Sequence, residues 1–132
     1  MTSKQQNIIK LQNLIKLQNL AAELGLFYSY LNSCETDATG GELVFTYNLE
    51  EYKQYPANNK CRFILKQWFF LCAYVNNYGE FIVHAKIPYP GFNEKEYFIS
   101  FEEVRQYIID YMKYAKEHFV DMKLEKIQRD FQ

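Results

Sequence analysis

Five side chains in this sequence have the chemistry of nucleophiles, bases or zinc ligands. They are Cys34, Cys61, Cys72, His84 and His118. A catalytic cysteine needs a histidine and an organising acid, but no glycine-rich elbow or neighbouring acid accompanies these residues. Zinc sites use closely spaced ligand pairs, and none of the five residues belongs to such a pair. The spacing therefore predicts no catalytic cysteine, no metal site and no cofactor.

The acidic pairs Glu50-Glu51 and Glu102-Glu103 are the next candidates, because some hydrolases use two converging carboxylates. Both pairs stand at predicted helix starts, where negative charge complements the helix dipole. Their positions are explained without catalysis. We therefore predict that the protein is not an enzyme.

The charge balance limits the class of partner. The 132 residues include 15 basic and 16 acidic side chains, with a formal net charge of -1. Binding through phosphates requires a local excess of Lys and Arg, so this balance argues against a nucleic-acid partner. One alternative stays open, in which side chains of one strand parity stack single-stranded nucleic acid: Arg62, Lys66, Trp68, Phe70 and Tyr74. A pocket for a small hydrophobic ligand between sheet and helix is the other alternative.

Length and composition predict a single domain over residues 1–132. An odd number of cysteines without a CxxC pair favours reduced thiols in the cytoplasm over a secreted disulfide framework. The chain begins without the apolar segment of a signal peptide, and no stretch reaches the roughly 18 apolar residues of a membrane span. We therefore predict a cytoplasmic protein with no membrane partner.

The stretch from Phe63 to Val75 predicts the centre of the fold. Eleven of its 13 residues are apolar, which is typical of a strand buried on both faces by helices or by a second chain. A tight connection should pair it with a strand at 81–87 as an antiparallel hairpin. Side chains alternate along the long strand, so the length of the connecting loop decides which of them join the apolar face of the second strand. A four-residue loop would place these side chains there: Trp68, Phe70, Cys72 and Tyr74. A five-residue loop would place the other set there: Phe69, Leu71, Ala73 and Val75.

The chain before this strand predicts a helix, a hairpin and a second, short helix. The first helix runs from about Ser3 to Leu24, and Gly25 ends it. Its apolar arc is wide, as in a helix wedged between two surfaces, and consists of Ile8, Leu11, Leu14, Ile15, Leu17, Ala21, Ala22 and Leu24. Strands at 26–31 and 42–47 form the hairpin. Asn48 then caps the short helix, which Pro56 closes.

The last part of the chain predicts a long helix that begins after Ser100 and runs to about Asp130. Ser100 and Glu103 form a capping box, with Ile99 and Val104 as its hydrophobic staple. The main apolar face consists of Val104, Ile108, Tyr111, Ala115, Phe119 and Met122. A second stripe lies about 120° to 140° away around the axis and consists of Val120, Leu124, Ile127 and Phe131. It either contacts a partner or rests against the first helix.

These elements predict an α+β fold with a mainly antiparallel four- or five-stranded sheet and long N- and C-terminal helices. Aromatic residues make up 18% of the chain, which predicts a bulky core or an adhesive surface. The predicted function is non-catalytic protein binding, as in an inhibitor, an immunity-type protein or a mobile-element accessory protein that occludes a partner surface. The partner is another protein chain, either a target or a second copy in a homodimer. The predicted contact residues are Tyr89, Phe92, Val120, Leu124, Ile127 and Phe131. The faces of the hairpin are further candidate contact surfaces.

Overall fold

Helices and an antiparallel sheet make up the fold. A computed structural model describes residues 2–30, 38–55, 60–87, 97–98 and 100–130. In chain order the elements are α1 Ser3–Leu24, β1 Phe27–Ser29, β2 Ala38–Thr46, α2 Leu49–Gln54, α3 Lys60–Leu65, β3 Phe70–Asn76, β4 Phe81–Lys86, β5 Tyr97–Phe98 and α4 Phe101–Asp130. The five strands pair antiparallel in the order β1-β2-β3-β4-β5, so each strand lies beside its neighbour in sequence. The α+β prediction is confirmed.

Local hydrogen bonds fix both ends of α1. The Thr2 hydroxyl accepts from the backbone N–H of Gln5, and the Gln5 side chain accepts in return from the backbone N–H of Thr2. At the other end Gly25 adopts φ 69°, a left-handed conformation that glycine reaches without a steric penalty. The predicted bounds of the first helix are confirmed.

Helices cover the two faces of the sheet. On one face α1 and α4 bury Leu43, Leu71 and Val83 in the larger core. On the other face α2 and α3 contribute Tyr52 and Phe63, which pack with Val44, Phe70 and Cys72 in a second apolar cluster. Every residue of β3 is buried, as predicted for the centre of the sheet. The interpretation of both hairpin faces as partner surfaces is wrong, because β3 is already covered by the chain itself.

The predicted strand began seven residues too early. Residues 60–65 form α3, in which Phe63 is fully buried and Leu65 is 78% exposed. A short run of apolar residues is consistent with either a buried strand or a helix, and the alternation of buried and exposed positions here follows a helix. The strand starts only at Phe70.

The β3–β4 connection decides the register of the hairpin. Val75 pairs with Phe81 and Ala73 with Val83, so residues 76–80 form a five-residue loop. The Asn76 side-chain oxygen accepts from the backbone N–H groups of Tyr78 and Glu80, at 2.9 and 3.0 Å. Of the two registers that the sequence left open, the five-residue loop is correct.

The hairpin of β1 and β2 requires a glycine at its point of closest approach. Gly41 has φ 105°, and a Cβ atom built there would lie 2.0 Å from the carbonyl oxygen of Ser29.

After this hairpin α2 begins at Leu49, but the side chain of Asn48 makes no capping hydrogen bond. It donates instead to the side-chain oxygen of Gln67 at 2.6 Å. Asn48 therefore stands at the predicted N-cap position but makes no side-chain capping bond, and Pro56 lies outside the described residues.

The long helix α4 starts as the sequence predicts. The Ser100 hydroxyl accepts from the backbone N–H of Glu103 at 3.3 Å, while Ile99 of the predicted staple lies outside the described residues. Its main face is confirmed in the residues that are fully buried against the sheet: Val104, Ile108, Tyr111 and Ala115. The Tyr111 hydroxyl lies 3.0 Å from the carbonyl oxygen of Phe70 and 2.7 Å from that of Lys86, so it bridges the helix to β3 and β4.

Candidate protein-binding surface

The helix α4 is longer than the sheet that supports it. Its 30 residues span about 45 Å at 1.5 Å per residue. The seven residues of β3 span only about 23 Å. Every side chain described beyond Phe119 is exposed. We call residues 120–130 the distal end of α4.

An aromatic cluster marks the base of the distal end. The rings of Phe119 and Tyr47 stack with centroids 3.9 Å apart and planes 17° apart, and Trp68 lies 5.8 Å from Phe119. Burial in this cluster raises the pKa of the Tyr47 hydroxyl. Among the described residues, Phe119 is the last side chain of α4 that packs against the rest of the protein. The helix beyond it is held by its own backbone hydrogen bonds.

Three large apolar side chains form a line on the distal end. Val120 is 57% exposed, Leu124 is 52% exposed and Ile127 is 51% exposed. At 100° per residue they lie about 100° to 160° around the axis from Ile108, so they point away from the sheet. The alternative in which these turns rest against α1 is wrong, because all three side chains remain more than half exposed. We call them the distal stripe.

The distal stripe has the spacing of a coiled-coil seam. With Leu124 at heptad position a, Val120 and Ile127 both occupy position d. Lys123 and Asp130 then both occupy position g on one flank of the stripe, and both are exposed. This flank contains one positive and one negative charge, separated by two turns of helix.

The predicted contact residues meet different outcomes. Val120, Leu124 and Ile127 lie together on one exposed surface. Tyr89, Phe92 and Phe131 lie outside the described residues, so their predicted role stays a prediction.

Sequence analysis did not predict a second exposed stripe on α1. Ile8, Leu11 and Ile15 are 46%, 60% and 56% exposed, whereas Leu14 and Leu17 on the adjoining face are buried. The interpretation of α1 as a helix wedged between two surfaces is therefore wrong, because the sheet covers only one side of its arc. The spacing of Ile8, Leu11 and Ile15 by three and four residues was the signal that could have separated the two faces.

Three of the five residues with catalytic or ligand chemistry, Cys72, His84 and His118, are built into structural contacts, and the side chain of Cys61 is outside the described part of the structure. Cys72 and His84 are directly paired in register across β3 and β4, and the Cys72 side chain is buried. The ring of His84 stacks on Tyr74, whose hydroxyl lies 3.4 Å from its Nε2. The ring nitrogen Nδ1 of His118 lies 2.9 Å from the carbonyl oxygen of Tyr114 on the same helix. The two histidines therefore belong to separate elements, and Cys34 lies outside the described residues.

The fully buried carboxylate of Glu42 has a local structural role. It accepts a hydrogen bond of 2.7 Å from the Tyr52 hydroxyl, across the second apolar cluster. A buried carboxylate is tolerated only when donors of this kind replace water. In the described ranges, no group of three or more His, Cys, Asp or Glu side chains is arranged to hold a metal ion.

The residues predicted to stack nucleic acid do not form one exposed row on the sheet. Phe70 and Tyr74 are only 2% and 3% exposed, so neither ring can stack a base. Arg62 lies on α3 and Lys66 follows it, outside the strand that was to align them. A stacking platform needs exposed rings on the sheet, and these two rings are inside the protein.

Comparison with known proteins gives no relative from which a function could be transferred. No family model, no curated protein and no solved structure matches this chain. Among the helices in the described part of the chain, none combines the length and apolar character needed to cross a bilayer.

Proposed function

We propose that this chain is a non-catalytic protein-binding module that self-associates through the distal end of α4. The observation that supports the proposal is the distal stripe, three large apolar side chains that are each more than half exposed on a helix end whose described side chains are all exposed. Clustered apolar exposure of this kind marks protein-interaction surfaces. No catalytic step forms part of the proposal.

The length of the distal end adds a second argument. Its 11 residues, 120–130, form about three turns that project from the body. Most helical stability in proteins comes from packing of an apolar face, and the described side chains of these turns are all exposed. A second helix against the distal stripe would supply that packing.

The charges beside the distal stripe favour a second copy as the partner. In an antiparallel pair of identical helices, the same flank of each helix faces that of the other. Lys123 of one copy would then lie near Asp130 of the second copy, and the two-fold axis would form this contact twice. Charges at such flanking positions set partner choice and orientation more than affinity. The surface is thus complementary to itself.

The contact is small, so the expected association is weak. Three turns from each helix bury less than about 1,200 Å², the lower end of the range for specific protein interfaces. Weak self-association of this kind leaves the distal end of α4 open to exchange with a target helix. An inhibitor or immunity-type protein would occlude its target through the same stripe.

Sedimentation equilibrium tests the proposal directly. Between about 5 and 500 µM, we expect the weight-average mass to rise from the monomer value of 15.9 kDa toward twice that value. Leu124→Asp should hold the mass at the monomer value, because it places a charge in the middle of the contact. Leu11→Asp is the matched control on the exposed stripe of α1, and it should dimerise as the wild type does.

Two results would overturn the proposal. One is a wild-type mass that stays monomeric over the whole concentration range. The other is a dimer that survives Leu124→Asp but is lost in Leu11→Asp, which would transfer the interface to α1.

A further inference from the structure

A cavity at the base of the distal end has a different chemistry from the stripe. Its volume is about 580 Å³, and it lies where the end of β2, the segment before β3 and the last docked turn of α4 meet. The residues used below are Tyr47, Asn48, Lys66, Trp68, Phe119 and Lys123, all of which line it. A cavity of this size accommodates a small organic molecule.

Aromatic rings form part of the wall of this cavity. Tyr47 and Phe119 are stacked on each other, and Trp68 is inclined to Phe119 by 59°. Tyr47 keeps 40% of its surface exposed, so the stack is not closed off by the core. Rings in this arrangement offer a face or an edge to a flat conjugated ligand.

Cationic and amide groups complete the lining. Lys66 is exposed at the rim, and Lys123 holds its Nζ 4.6 Å from the centre of the Phe119 ring. Among the described residues that line the cavity, none is acidic. The amide group of Asn48 is held in place by its 2.6 Å hydrogen bond to Gln67. Two ammonium groups on a lining whose described residues carry no carboxylate favour an anion.

We propose that this cavity binds a ligand that joins a flat aromatic ring to a phosphate, with a nucleoside monophosphate as the representative probe. The ring would stack against the aromatic wall, and the phosphate would pair with Lys66 and Lys123. This is a small-molecule site in a cavity, distinct from a stacking platform across the sheet. The site shares Lys123 with the proposed dimer contact, whereas Lys66 and Trp68 lie outside the distal end, so Lys66→Gln tests the site without altering that contact.

The single tryptophan of the chain, Trp68, reports on binding without a label. We expect adenosine monophosphate to change its fluorescence saturably at concentrations up to about 5 mM. Adenosine, which lacks the phosphate, should bind about tenfold more weakly, and so should inorganic phosphate, which lacks the ring. This comparison uses the wild-type protein, so it does not depend on the folding of any variant.

A pair of lysine variants localises the phosphate. Lys66→Gln should weaken binding of adenosine monophosphate by about tenfold and leave binding of adenosine unchanged. Lys113→Gln, on the exposed side of α4, is the control and should bind as the wild type does. The proposal is overturned if the nucleotide gives no saturable change, if adenosine binds as tightly as its phosphate, or if Lys66→Gln has no effect.

Discussion

The two parts of α4 belong to one helix and contain the same types of residue, but only the first part is covered by the sheet. From Phe101 to Phe119 the helix lies on the sheet, and Ile108 is fully buried. From Val120 onward comparable side chains are more than half exposed. We therefore expect the docked part to stabilise the fold and the distal stripe to bind a partner. Substitutions in the docked part should affect folding, and those in the distal stripe should affect association alone.

The largest expected effect comes from shortening the same kind of side chain in the two parts. Ile108→Ala leaves a cavity in the core, so we expect the free energy of unfolding to fall by about 2–5 kcal/mol. Leu124→Ala should change it by less than about 0.5 kcal/mol, because Leu124 contacts little within the monomer. Urea denaturation at a protein concentration low enough to keep the monomer would measure both values. Similar losses at the two positions would mean that the distal end is packed after all.

A smaller effect tests the polar bridge of the docked part. Tyr111→Phe leaves the ring in place but removes the hydroxyl that lies beside the carbonyl oxygens of Phe70 and Lys86. We expect a loss of about 1 kcal/mol in the free energy of unfolding. Tyr78→Phe, at a 72% exposed tyrosine, is the control and should leave the urea midpoint unchanged. Equal midpoints for the two variants would show that this bridge adds nothing.

The same hydroxyl predicts how stability changes in alkali. Burial raises the pKa of Tyr111 far above its ordinary value of 10.0. A group with a raised folded-state pKa contributes stability that is complete below its unfolded-state pKa and is lost as the pH rises further. The wild type should therefore lose stability above about pH 10, and Tyr111→Phe should lose less over the same range. Parallel curves for the two proteins would rule out this role of Tyr111.

The smallest effect is expected where α1 meets the start of α4. The side chain of Arg105 donates to the carboxylate of Glu23, and this hydrogen bond lowers the pKa of Glu23. Any stability that it adds is present above the ordinary carboxyl range and is lost as the pH falls through the lowered pKa. Both side chains are close to half exposed, so solvent screens the pair. Arg105→Gln should leave the urea midpoint at pH 7 unchanged, and a clear shift would contradict this account.

The bounds of the two long helices, α1 and α4, were the most predictable part of the fold. Glycine at position 25 and serine at position 100 are chemically specific stop and start signals, and they act as the sequence predicts. The register of β3 and β4 followed once the loop length was known, because side chains alternate along a strand. The glycine and serine signals are local, so a sequence is enough to recognise them, whereas the loop length and the register remained open until the structure was known.

Other features depend on contacts between distant parts of the chain. The sequence of α3 resembled the start of a strand because its apolar residues continue into β3. Its helical form depends on the packing of Phe63 with buried residues from other elements, which a sequence does not show. The pairing of Cys72 with His84 likewise depends on the register of two strands. For the candidate site, the sequence predicted the distal stripe, but only the short reach of the sheet shows that nothing within the described chain covers it.

Exchange of the two charges beside the distal stripe tests the central claim most directly. Sedimentation equilibrium would compare Lys123→Asp, Asp130→Lys and the double variant with the wild type. Each single change places like charges opposite each other twice in an antiparallel dimer, so each should lower the weight-average mass. The double variant should regain the wild-type mass, because it restores the opposite charges. Single variants that dimerise like the wild type, or a double variant that stays monomeric, would contradict antiparallel self-association through α4.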